Sequence, residues 1–132
     1  MRVAYVDTSC LVALEFGERG AAALARRLGG FDRLVAANLL EAELRAACLR
    51  EGRDGPVDAL QLISWVVPDR PLSPEIGRVL DAGYVRGAAC WHLATALYVA
   101  GDASAISFVT LDGAQGRVAR ALGFALDGSP QL

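Results

Sequence analysis

The chain has 132 residues, of which 54% are hydrophobic, and its formal net charge is −2 at pH 7. A chain of this length suits one domain with one core, so we expect a single domain over residues 1–132 and no extensive disorder. The small negative charge excludes a strong overall attraction to nucleic acid, so a nucleic-acid partner requires a local basic patch, bound cations or a second subunit.

The first half of the chain opens with an apolar run that ends on an acid. Val3-Ala4-Tyr5-Val6 is typical of a buried strand, and Asp7 follows where this strand stops. Asn38 is a favourable N-cap for a later helix. In order, the predicted elements are a strand over 3–6, helices over 10–16 and 18–28, a strand within 32–37 and a helix from 38 to about 51.

The second half is predicted to hold more helix than strand. Ser73 is expected to cap a helix whose first residue is Pro74. In order, the predicted elements are a helix over 57–64, an extended piece over 65–68, helices over 74–83 and 88–99, a strand over 106–110, a helix ending at 122 and an edge strand over 124–126. Strands that alternate with helices in this way predict a three-layer α/β/α sandwich with a mainly parallel central sheet.

The cysteines and the apolar runs of the sequence indicate the cellular compartment in which the protein is expected. The three cysteines are widely spaced and include no C-x-x-C pair, which argues against a zinc site and predicts free thiols. Only four apolar residues precede Asp7, too few for a signal-peptide core, and no run reaches the length of a membrane span. We therefore expect a cytoplasmic protein without a membrane partner.

Two acids stand at predicted strand ends. Asp7 follows the first strand, Asp112 follows Val109-Thr110-Leu111, and each also suits the N-cap of the helix behind it. Parallel strands place their carboxyl ends along one crevice, where α/β proteins bind ligands. If the two strands are neighbours, both carboxylates face that crevice. The pair favours a ligand site, and capping remains the alternative for each acid.

Further candidates lie on predicted helices. Glu41 and Glu43 flank the apolar stripe of the helix from Asn38, and spacing alone does not choose which one reaches a site. His92 is the only histidine, and its place on an Ala-rich helix is more typical of a residue hydrogen-bonded at the edge of a core than of a metal ligand. A site of carboxylates alone suits Mg²⁺ or Mn²⁺, which activate water and offset the charge of a phosphate.

Four short motifs, taken in order and spacing, resemble those of PIN-domain ribonucleases, in particular the VapC-type toxins of bacterial toxin–antitoxin pairs. The motifs are Val6-Asp7-Thr8-Ser9, Glu41-Ala42-Glu43-Leu44-Arg45, the segment from Arg86-Gly87 to His92-Leu93-Ala94-Thr95-Ala96-Leu97, and Val109-Thr110-Leu111-Asp112. Each is weak alone, but together they cover nearly the whole chain. The resemblance implies a PIN-like fold and a metal-dependent endoribonuclease that hydrolyses RNA phosphodiester bonds.

The resemblance also implies a set of site residues. The acids that would act in catalysis and bind one or two Mg²⁺ or Mn²⁺ ions are Asp7, Glu43 and Asp112. The small polar residues that would line the site are Thr8, Ser9 and Thr110. The position of Glu43, directly before Leu44-Arg45, matches the second family acid and favours it over the other glutamate.

One position departs from the family pattern. Family members carry an Asp three residues before the helix His, and here that position is Ala89. Ala89 removes one expected metal ligand and about one negative charge, so we expect a folded protein whose cleavage is badly reduced. A deliberate substitution and a natural loss both fit this pattern.

The resemblance implies three partners, namely an RNA substrate, a cognate VapB-type antitoxin and a second copy of the chain in a homodimer. Arg86 or Arg117 is a candidate contact to the RNA backbone, although surface arginines are more often only solvated. The rival function is a non-catalytic PIN-like module that binds RNA or protein, and the missing acid at Ala89 supports it.

Overall fold

Four short strands form one parallel sheet in the computed structural model, which describes residues 1–55 and 57–126. The strands are β1 (Val3–Val6), β2 (Arg33–Ala37), β3 (Ile63–Val66) and β4 (Ser107–Val109). Their order across the sheet is β3-β2-β1-β4, and every neighbouring pair is parallel. β1 is an inner strand whose last three residues are buried, which explains the continuous apolar run in its sequence.

Seven α-helices are found among the described residues. They are α1 (Thr8–Glu15), α2 (Ala21–Leu28), α3 (Leu39–Arg50), α4 (Val57–Leu60), α5 (Ser73–Ala82), α6 (Gly87–Ala100) and α7 (Gly113–Leu122). α1 packs against α2, α3 and α4, whereas α5, α6 and α7 pack against one another. These two groups form the outer layers, so the predicted α/β/α sandwich is confirmed, with a sheet that is parallel throughout.

Some predicted boundaries are wrong. The helix predicted over 57–64 ends at Leu60, and β3 begins at Ile63, which pairs with Leu34. Short apolar runs fit a buried helix and a buried strand equally well, and only the pairing with β2 decides between them. The edge strand predicted over 124–126 is a single bridge between Ser107 and Ala125.

Two of the predicted N-caps, Asn38 and Ser73, do not cap their helices through their side chains. Asn38 stands at the N-cap position of α3, but its side-chain amide donates to Glu41 Oε1 at 3.2 Å instead of accepting a backbone N–H. Leu72 precedes α5 as its N-cap, so Ser73 is the first helical residue and Pro74 lies in the first turn. A proline there needs no backbone hydrogen bond, so the helix start is preserved.

An aromatic stack fixes the centre of the core. The rings of Tyr5 and Phe108 are stacked with centroids 5.3 Å apart, and Phe124 lies against Phe108 at 5.6 Å. Tyr5 and Phe108 also face each other in the β1–β4 register, so the stack holds these two strands together. The residues that follow both strands are thereby brought to one edge of the sheet.

Other features of the described residues agree with the composition. Cys10, Cys48 and Cys90 are buried free thiols, as predicted. No helix in the described part of the chain combines the length and apolarity needed to cross a membrane.

Candidate active site

A cleft of about 570 Å³ opens where β1 and β4 end. The backbone N–H of Asp7 donates to the carbonyl of Val109 at 3.2 Å, which joins the two strand ends. Asp7, Glu43 and Asp112 all line this cleft. The two strands that precede Asp7 and Asp112 are neighbours, and the three acids that the sequence singled out border the same cleft.

Asp7 is the most buried of these acids, with 6% of its surface exposed. It stands at the N-cap position of α1 but makes no side-chain capping hydrogen bond. Instead its Oδ1 accepts from Ser9 Oγ at 2.7 Å, and Ser9 Oγ in turn accepts from the backbone N–H of Leu111 at 3.0 Å. Burial raises the pKa of Asp7, because little water remains to solvate its charged form.

Glu43 reaches the cleft from α3. Its Oε1 accepts from Thr8 Oγ1 at 2.6 Å and pairs with His92 Nε2 at 2.9 Å. The hydrogen bond from His92 is the main cause of a lowered pKa at Glu43, so this carboxylate is held as the anion. Glu41 points elsewhere and pairs with Arg45 at 2.9 Å. The structure therefore places Glu43 and not Glu41 in the cleft.

His92 connects Glu43 to the core. Its Nδ1 lies 2.6 Å from the hydroxyl of Tyr5, and that hydroxyl also accepts the backbone N–H of Ala37 at 3.0 Å. If Nδ1 also donated to Tyr5, the buried phenolic proton would have no acceptor, so Tyr5 donates to Nδ1 and the ring hydrogen resides on Nε2. Burial raises the pKa of Tyr5, which keeps the phenol protonated. His92 is thus a buried, hydrogen-bonded residue that also lines the cleft.

Asp112 has two structural roles. It is the N-cap of α7, where its Oδ1 accepts from the backbone N–H of Gln115 at 3.1 Å, and it lines the cleft. Thr110 does not appear among the residues that line the cleft. Its hydroxyl donates to Gln115 Oε1 at 2.9 Å and accepts from the backbone N–H of Asp112 at 3.0 Å, so it shapes the turn into α7.

Position 89 faces the same cleft. Ala89 lines it from the first turn of α6, and its carbonyl accepts from the side-chain amide of Gln115 at 3.3 Å. A carboxylate at this position would therefore join the acids already present.

Sequence reasoning missed Tyr5 and Gln115. A tyrosine inside a buried strand requires a partner for its hydroxyl, which was an available signal. Gln115 follows the cap Asp112 at the spacing of a capping box, yet its side chain turns towards Thr110 and Ala89 rather than back to the cap.

The donor chemistry of the cleft suits a hard divalent cation, because its carboxylate oxygens are the ligands that Mg²⁺ and Mn²⁺ prefer. The spacing of these carboxylates does not suit such a cation. Within residues 1–55 and 57–126, no three His, Cys, Asp or Glu side chains lie close enough together to hold one metal ion. The described residues therefore do not fit a complete metal site in this chain.

Comparison with known proteins adds one finding. The PIN domain model matches residues 4–121, which is most of the chain and includes every residue of the cleft described above. Neither the curated proteins nor the solved structures gave a match. A match of this extent, on a parallel α/β/α sandwich, shows that the chain belongs to the PIN domain family.

Proposed function

We propose that this chain is a metal-dependent endoribonuclease of the VapC toxin type whose cleavage of RNA is reduced by Ala89. PIN domains are usually nucleases and generally use divalent metal ions. The observation that carries the proposal is that Asp7, Glu43 and Asp112 line one cleft at the ends of parallel strands.

The proposal assigns roles to the residues of the cleft. Asp7, Glu43 and Asp112 are the acids that would act in catalysis and hold Mg²⁺ or Mn²⁺, with Thr8, Ser9 and Thr110 as their polar neighbours. When bound, the metal would supply an activated water and offset the charge of the scissile phosphate. Thr8 fixes Glu43, and Ser9 fixes Asp7, so both hydroxyls orient acids.

The toxin assignment brings further proposals with it. It includes four proposals, namely an RNA substrate, a VapB-type antitoxin, a homodimer and a cytoplasmic location. It also includes one PIN-like domain over residues 1–132. They share the support of the four motifs and of the family match over residues 4–121.

The deciding experiment restores the acid at position 89. We expect Ala89→Asp to cleave RNA faster than the parent protein in Mg²⁺ or Mn²⁺, by at least the ~10- to 100-fold that loss of a hydrogen-bond partner of a metal ligand costs, because it adds a carboxylate to a cleft that lacks a complete ligand set. Ala89→Asn, of similar size but uncharged, is the control. Equal cleavage by the parent protein and Ala89→Asp contradicts a catalytic role for this position.

A non-catalytic module is the second candidate, and one observation favours it. No three potential ligands meet among the described residues, so the chain as it stands lacks a full metal site. Calorimetry on Ala89→Asp separates the two functions. Mn²⁺ binding with RNA cleavage supports the nuclease, whereas RNA binding without Mn²⁺ binding or cleavage supports the module.

A further inference from the structure

The acidic cleft adjoins a second depression. A groove of about 470 Å³ lies beside it, and Tyr84, Val85 and Arg86 line both. The remaining walls of this groove are mainly apolar and come from α5 and α6; they are Ile76, Leu80, Gly87, Cys90 and Trp91. We call it the Tyr84 groove.

The loop between α5 and α6 builds the rim that the two depressions share. Val85 is buried and anchors the loop, while Tyr84 and Arg86 on either side of it are exposed. The loop also lies close to α7, since a side chain at Gly83 would come within 3.0 Å of Val118. The rim is therefore held in place by packing.

Tyr84 is 82% exposed, so its ring contributes little to the core. A single exposed aromatic is common on protein surfaces and indicates nothing by itself. Here, however, the ring stands at the mouth of a cleft that contains three carboxylates, and it borders an apolar groove. A flat ring in this place can receive another flat ring entering from the cleft.

Arg86 supplies charge at the same rim. Among the described residues that line the acidic cleft, it is the only Lys or Arg. No ion pair or side-chain hydrogen bond within the described residues occupies its guanidinium. An acidic cleft repels a phosphodiester, so this guanidinium, on the rim shared by cleft and groove, favours a phosphate there.

We propose that the Tyr84 groove binds the base of a nucleotide next to the scissile phosphate of single-stranded RNA, with Tyr84 stacked on the base and Arg86 on the adjoining phosphate. The proposal rests on the proposed function, since it takes RNA as the substrate of the cleft. Stacking on an aromatic side chain needs an exposed base face, which a base inside a duplex does not offer.

An apolar groove also suits an apolar side chain of a protein partner. Two observations favour RNA: the groove shares three lining residues with the acidic cleft, and Arg86, which has no ion pair among the described residues, is one of them. A protein interface is therefore an outcome that the experiment must recognise.

The test is titration of a short, labelled single-stranded RNA of mixed sequence, in Mg²⁺ and again in EDTA, with the RNA recovered and checked for cleavage. Tyr84→Ala should weaken binding about 5- to 140-fold, the range measured for the loss of one stacked base, and Tyr84→Phe should bind like the parent protein. Val67→Ala, which truncates another exposed apolar side chain, is the control and should bind normally. Arg86→Ala should weaken binding and reduce its salt dependence.

The outcomes separate this proposal from the proposed function. Unchanged RNA affinity in Tyr84→Ala, or no RNA binding by the parent protein in either buffer, overturns the base site. If Tyr84→Ala keeps its RNA affinity but no longer self-associates in sedimentation, the base site is also overturned and the groove is assigned to protein contact. Tyr84-dependent RNA binding without cleavage by Ala89→Asp supports the base site and rejects the nuclease.

Discussion

One carboxylate oxygen of Glu43 makes both of the side-chain hydrogen bonds of this residue. Thr8 and His92 both contact Oε1, at 2.6 and 2.9 Å, and no described residue donates to Oε2. The carboxylate is thereby fixed at one end and open at the other. Since Tyr5 sets the hydrogen of His92 on Nε2, the buried core orients an acid of the cleft through the imidazole ring.

Two substitutions of His92 test this arrangement. Gln at this position places an amide near Nε2 and can still donate to Glu43, whereas the shorter Asn reaches only the position of Nδ1. We expect His92→Asn to raise the pKa of Glu43 towards the ordinary value of about 4.3, and His92→Gln to keep it lowered. NMR titration of the Glu43 carboxyl carbon measures both.

Each variant serves as the control for the other, because both remove the imidazole ring from the core. Their melting temperatures should fall by similar amounts. The same Glu43 pKa in the two variants is incompatible with a role for His92 in positioning the carboxylate.

At the scale of elements, α7 depends on a residue that also belongs to the cleft. Asp112 caps this helix through the N–H of Gln115, and Thr110 and Gln115 complete the turn. The alternatives of cap and ligand, left open by the sequence, are therefore compatible in one side chain. Helix capping explains why a side-chain oxygen is needed at position 112, but it does not require that side chain to be charged.

Substitutions at Asp112 separate the two roles. Asp112→Ala should lower the free energy of unfolding by about 1 kcal/mol, and Asp112→Asn should stay within a few tenths of the parent protein, because Asn caps as well as Asp. Urea unfolding curves measure this difference. If Asp112 also acts in catalysis, both changes should abolish the cleavage that Ala89→Asp gains. Equal stability of the two variants would argue that the cap contributes nothing.

The sequence predicts some helices and strands correctly and misplaces the boundaries of others. The strand over 3–6 and the helix after Asp112 follow from patterns confined to a few neighbouring residues. The start of β3 at Ile63 does not, because its pairing with β2 is a contact between distant parts of the chain. A local sequence pattern predicts an element whose stability comes from its own residues. It fails where pairing with a distant strand determines whether the segment is helix or strand.

At the scale of the whole molecule, the buried charge of Asp7 opposes folding. Its pKa is raised by burial, so the unfolded chain loses this proton at a lower pH than the folded protein does. The stability cost is absent below the unfolded pKa of about 3.9, grows as pH rises towards the folded pKa and is constant above it. Functional sites commonly lower stability in this way.

We expect Asp7→Asn to be more stable than the parent protein at pH 7 by about 1–3 kcal/mol, because it removes a poorly solvated charge while Oδ1 can still accept from Ser9. Urea unfolding in EDTA at several pH values measures this gain, which should shrink towards zero near pH 4. Asp32→Asn, at an acid away from the cleft, is the control. A gain that does not vary with pH would assign the effect to packing rather than charge.

The sequence by itself determined the alternation of strands and helices, the buried first strand and the acids at two strand ends, because these depend on spacing along a few residues. Only the tertiary structure decided that β1 and β4 are neighbours, that Glu43 reaches the cleft, and that Tyr5 meets His92 across 87 positions. The physical reason is that strand order and side-chain contact arise from packing between distant segments. The local spacing of apolar and polar residues does not indicate which distant segments pack together.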